Sequence, residues 1–199
     1  MSNSRFSEVF FIAGSLYYLI AELICAIFFN DSLPNTYIYH TISELGIPNA
    51  NSPLSFLMNT SFILIGLSLL LGSIYGFKDC IIKNRRLFHI LTLVTSIGVI
   101  IVGLIHGGNP LTSGYHTLGA VMAILGGNIL LVVVSRSTED FGGYEKITLL
   151  LAVIGLIAFW IMFFNIRSIY MPVFERLSVY TLIIWCFLTG LHLKDEKLS

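Results

Sequence analysis

Charge is what this chain has least of. Only 11% of its 199 residues are Asp, Glu, Lys or Arg, while 56% are hydrophobic. A soluble domain carries roughly 25% charged residues. Mean hydropathy is +0.87, and a water-soluble fold of this length could not hide so much apolar surface. Acidic and basic residues balance at 11 each, so no overall field points to nucleic acid. Cysteine is scarce too. Cys25, Cys80 and Cys186 form no C-x-x-C pair, which argues against a disulfide framework or a thiolate zinc site. Neither a G-x-x-x-x-G-K-[ST] loop nor a strand-associated G-x-G-x-x-G is present, so no nucleotide fingerprint exists. H-E-x-x-H and H-x-x-x-H spacings are also absent.

What is present in quantity is long apolar sequence. Six stretches, 8–29, 54–75, 87–105, 115–135, 147–164 and 173–193, each approach the roughly 20 helical residues that cross a bilayer core. They lack the period-two alternation of a membrane barrel. The expected fold is all-α: one domain over 1–199, a polytopic bundle of six transmembrane helices in a lipid bilayer. The first stretch contains Glu22 and no small-residue cleavage site, so it reads as a retained helix rather than a signal peptide. Ser52-Pro53 is expected to serve as N-cap and first turn of the second span, and Pro172 to start the sixth. Gly107-Gly108-Asn109-Pro110 is expected to end the third. Gly142-Gly143 separates the fourth from the fifth.

Basic residues fall into alternate gaps. Arg5, Lys78, Lys83, Arg85, Arg86, Arg136, Lys146, Lys194 and Lys197 belong to one side; only Arg167 and Arg176 lie on the other. The positive-inside rule then puts both termini in the cytoplasm of a cell-membrane protein. Gly119, Ala123 and Gly127, with Gly103 and Gly107, recur at steps of four. They predict a close helix-packing seam, or a surface for a homo-oligomer or a membrane partner subunit.

The unusual polar residues gather on the side poor in Lys and Arg. The long first outer gap contains His40, Ser43 and Glu44; His106 and His116 flank the short second one. Glu175 and Arg176 open the last span. Glu22 lies about 21 Å along an outward-running helix at 1.5 Å per residue, and Asn59 sits just below the outer start of the second span. A carboxylate or amide at such depth is costly to leave facing lipid, so both are expected to turn inward. These nine residues predict an outward-facing, polar-lined cavity that binds a lipid or small polar ligand.

Alternatives stay open. Histidines and carboxylates suit a metal and hence a metal-assisted hydrolase or transferase acting on a lipid headgroup, but the ligands would have to converge from separate loops. Haem between His106 and His116 would put both ligands on one hairpin. A nucleophile set can be written from Ser43, His40 or His116, and Glu44, yet no nucleophile elbow accompanies it. A small transporter or proton conduit would use Glu22, with Asn128 as the main polar residue of the inner half. The sequence names no cofactor and leaves catalysis undecided.

Four motifs carry a resemblance. They are Ile42-Ser43-Glu44-Leu45-Gly46, Asn59 leading into Phe62-Ile63-Leu64-Ile65-Gly66, the glycine-rich run from Gly103 to Pro110 followed by His116, and Glu175-Arg176. Together they resemble the domain of unknown function 998 family, six-helix membrane proteins of archaea and bacteria. The family more often has Phe-Pro after the third-span glycine, where this chain has Leu104-Ile105-His106. The resemblance implies six helices and an outer polar cluster. By analogy alone it implies a lipid-facing role.

Overall fold

The computed structural model describes residues 3–49, 51–138 and 143–195. Among these, six helices are long and apolar enough to cross a membrane: α1 (Asn3–Ile27), α4 (Ser55–Tyr75), α5 (Arg85–Leu104), α6 (Ser113–Ser135), α7 (Tyr144–Phe164) and α8 (Met171–Asp195). Two short helices, α2 (Leu33–Tyr39) and α3 (Ile42–Leu45), occupy the connection between α1 and α4. The chain is a multi-pass membrane protein. Backbone polar groups have no water to bond to inside a bilayer, and helices satisfy them internally.

Most boundaries lie within a few residues of expectation. One local reading is overturned. Ser52-Pro53 does not open α4; the helix starts at Ser55 after a turn. The Ser52 hydroxyl instead donates to the Leu45 carbonyl, tying the end of α3 to the start of α4. Pro172 is the second residue of α8, and α5 ends at Leu104, so Gly107 lies beyond it. Gly143 takes φ 93°, a left-handed conformation that favours glycine, directly before α7; Gly142 lies outside the described residues.

Neighbours in sequence pack as neighbours in space. Contacts run α1 to α4, α4 to α5, α5 to α6, α6 to α7 and α7 to α8, and α1 against α8 closes the ring. The expected glycine seam is divided. Gly119 faces Gly98 across the α5–α6 contact, whereas Gly103 meets the Asn59 backbone on α4. Near the ends rich in Lys and Arg, Phe11, Phe77, Phe88 and Trp185 are fully buried. Trp185 meets Phe11 and Phe77 edge-on at 5.8 and 5.6 Å. These rings form an aromatic plug within the core at that end.

Asn128 is fully buried and fully engaged. Its Nδ2 donates to the carbonyls of Ile124 and Ser178 at 2.8 and 3.1 Å, and its Oδ1 accepts from the Thr181 hydroxyl at 2.8 Å. The Ser178 hydroxyl continues to the Gly155 carbonyl at 2.7 Å. The residue expected to mark a conduction path is therefore a knot joining α6, α7 and α8, a structural use of polar side chains between membrane helices.

Candidate functional site

The polar residues singled out above occupy one end of the bundle, where α2 and α3 lie across the ends of α1, α4 and α8. They form three groups rather than one open chamber.

The first group is a buried ion pair. Arg176 Nε lies 3.1 Å from Glu22 Oε1, and the Tyr180 hydroxyl donates to the same oxygen at 2.9 Å. Glu22 is 1% exposed and Arg176 4%. The guanidinium also donates through Nη1 to the Tyr37 carbonyl at 3.2 Å and to the His40 carbonyl. It stacks on the Tyr37 ring, 5.0 Å from its centroid. One planar cation thus anchors the C-terminal end of α2 to α1 and α8, a task suited to the fixed fork of arginine. Burial, then the nearby Glu22 charge, push the Tyr37 phenol above its ordinary pKa. Within this group Glu22 Oε2, Arg176 Nη2 and the neighbouring Tyr18 hydroxyl are buried without protein partners. Buried polar atoms in native proteins are overwhelmingly paired, so these three keep hydrogen-bonding capacity that the protein does not use.

The second group links α3, α6 and α8. Glu175 Oε2 accepts the Ile42 backbone N–H at 2.8 Å, and the Ser43 hydroxyl lies 3.5 Å from Oε1. Ser43 Oγ is 3.1 Å from His116 Nε2, and His116 Nδ1 is 2.6 Å from the Ile105 carbonyl. A carbonyl oxygen only accepts. In the neutral ring Nδ1 therefore carries the proton, and Nε2 presents its lone pair to the serine. Thr41 caps α3 by accepting the Glu44 N–H at 3.0 Å, which sets the turn that aims Ser43 inward.

The third group sits at the surface. His40 faces Glu44 at 2.7 Å through Nδ1 and Asp31 at 3.2 Å through Nε2. Hydrogen bonds from the Asn35 side chain and the Ser32 N–H hold the exposed Asp31 carboxyl below its ordinary pKa, and His40 adds to this. Among the described residues no set of three His, Cys, Asp or Glu is placed to hold a metal. His40 and its carboxylates bond to one another instead. Asn59 lies apart from all three groups and donates to the Gly46 carbonyl at 2.8 Å. His106 does not join His116: α5 has ended, and its Nδ1 has no partner.

The four sequence motifs therefore meet at one end. Asn59 holds Gly46, His116 holds Ser43, and Glu175 holds Ile42. A family model described as "Protein of unknown function (DUF998)" matches residues 11–192. The chain belongs to this family. No curated protein and no solved structure matches it.

In this DUF998 member the expected polar-lined cavity is replaced by an apolar one. A slot of about 60 Å³ opens beneath Ser43 and Glu175, with Tyr18 in its wall. Below them α8 contributes Ser178, Val179, Leu182, Ile183 and Cys186, and α4 contributes Phe62, Ile65 and Leu69. The α8 positions recur at helical spacing on one face. Of the nine predicted residues, only Ser43 and Glu175 border this slot. Tyr18 and the α8 face were missed. Their signal was a tyrosine one turn before Glu22, and apolar positions following Glu175 at steps of three and four.

Proposed function

We propose that the protein binds a lipid, with one hydrocarbon chain in the slot and the polar end beneath α2 and α3. The observation that carries this is the lining of the slot. It is mostly aliphatic and aromatic, with Tyr18, Ser43, Glu175 and Ser178 as its few polar residues. From Glu175 to Cys186 the lining face of α8 extends about 16 Å at 1.5 Å per residue; the slot itself is about 60 Å³, so an alkyl chain enters as the surrounding helices part. The unpartnered Tyr18 hydroxyl, on the wall of the slot, supplies a donor for the polar end. A precise few polar groups at one end of an apolar pocket is the usual design of a ligand site.

A lipid carrying a photoreactive diazirine in its acyl tail tests the reading. The expected result is crosslinking to Val179, Leu182 or Cys186 in membranes, reduced at least about fivefold by Ala123→Phe, which fills the slot from α6. Labelling confined to lipid-exposed positions of the same helix, such as Leu177 and Ile184, defeats it.

The same reading places the α2–α3 end outside the cytoplasm. Its support is the charge asymmetry, with Arg167 and Arg176 alone at that end and the other basic residues at the opposite one. A cysteine replacing Asn35, which is exposed on α2, is expected to react with a membrane-impermeant maleimide in intact cells. Reaction only after the membrane is opened would reverse the orientation.

A further inference from the structure

We infer that Ser43 and His116 form a nucleophile–base pair that cleaves a lipid acyl ester, with the slot holding the acyl chain. The inference rests on the lipid-binding reading above and assigns that site a reaction.

The geometry carries it. A serine becomes a nucleophile when an adjacent base can take its proton, and the base must be held in the correct tautomer by a third group. Ser43 Oγ stands 3.1 Å from His116 Nε2. The Ile105 carbonyl, 2.6 Å from Nδ1, fixes the proton on the far side of the ring. His116 is 8% exposed, so its imidazole works in a site from which most water is excluded. Ser43 lines the apolar slot beside Glu175, within reach of the ester of a lipid whose tail occupies the slot. The Tyr18 hydroxyl borders the same space and is buried without a partner. It is the donor available to an ester carbonyl oxygen, the position where negative charge develops during acyl transfer. A hydrogen bond that merely tied α3 to α6 would need neither a slot at the serine nor an idle donor beside it.

The step balances without metal or oxidant. Ser43 Oγ attacks the ester carbonyl carbon as its proton passes to His116 Nε2, and the carbonyl electron pair moves to oxygen. The tetrahedral species collapses, the acyl C–O bond breaks, and the imidazolium returns its proton to the departing alcohol. The acyl group is left on Ser43. Water then attacks the acyl-serine, giving its proton to His116. Fatty acid leaves, and the serine is regenerated.

The test uses the full chain in lipid nanodiscs with an alkyl fluorophosphonate as probe. The expected result is phosphonylation of Ser43, located by mass spectrometry of the digested protein. Labelling is expected to vanish in Ser43→Ala and to slow about 100-fold in His116→Gln, the scale of a lost general base. Wild-type protein that stays unmodified at Ser43 under saturating probe overturns the proposal, and this arm needs no variant to fold. So does His116→Gln that labels at the wild-type rate. The tail-diazirine lipid, run on the same sample, separates the two readings. Crosslinks inside the slot with an unreactive Ser43 remove the catalysis and leave lipid binding standing. Loss of both removes the whole site.

Discussion

Replacing Arg176 with Met is expected to lower the melting temperature of the purified protein by about 10 °C. Breaking a buried ion pair from one side costs roughly 3–5 kcal/mol, because the remaining charge stays buried without its counter-charge; a chain of this size loses about 2–4 °C per kcal/mol. In the variant Glu22 keeps only the Tyr180 hydroxyl. The carbonyls of Tyr37 and His40 lose their shared donor, so the end of α2 comes free as well. The double variant Glu22→Leu with Arg176→Met removes both charges and is expected to melt several degrees above the single one. It should remain below wild type, because the two carbonyls still lack a partner. A single variant that melts with wild type would show that the pair does not hold α2 to the bundle. One that melts with the double variant would mean that the stranded carboxylate is not what destabilises it.

Gly98→Val is expected to be damaging as well, for a steric reason. A Cβ on Gly98 would come within 2.7 Å of the Ala123 nitrogen and the Gly119 oxygen. Both are backbone atoms and cannot swing aside as a side chain can. Overpacking a filled core costs typically 1–3 kcal/mol and sometimes more. Between membrane helices close backbone approach is itself a large part of the attraction. The expected outcome is loss of about 3 kcal/mol, seen as a drop in melting temperature or as loss of the folded species on size exclusion. Gly114→Ala is the matched control. A Cβ there meets nothing within 4 Å, and the change is expected to leave stability unchanged or slightly raised. Equal behaviour of the two substitutions would sink the account of the α5–α6 contact.

These two predictions show where sequence reading reaches and where it stops. Long apolar runs and the placement of Lys and Arg made the six spans legible, because every residue of a 20-residue helix contributes to one signal. The short helices α2 and α3 were invisible for the converse reason. Seven and four residues hold too few turns to establish a period. Gly98 passed unnoticed because it stands alone in an apolar run, with no small residue four positions away. The grouping of polar residues at one end followed from depth along the helices. Which of them touch did not. Glu22 meets Arg176 across 154 positions and Ser43 meets His116 across 73, and a single chain carries no local trace of either pairing. His106 and His116 looked equivalent from their flanking positions. The end of α5 at Leu104 separated them, leaving one in the loop and turning the other, on α6, toward Ser43.

The contact of α8 with α1 also has a consequence for biogenesis. Every other neighbouring pair of spans in the ring is consecutive along the chain and can dock as a hairpin soon after leaving the ribosome. Glu22 and the α3 segment are synthesised some 130 to 150 residues before Glu175 and Arg176 emerge, and at roughly 5–20 residues per second that interval lasts many seconds. Until then an unpaired carboxylate sits in a nascent membrane helix. The insertion machinery, or a chaperone within the bilayer, must tolerate it until the arginine arrives.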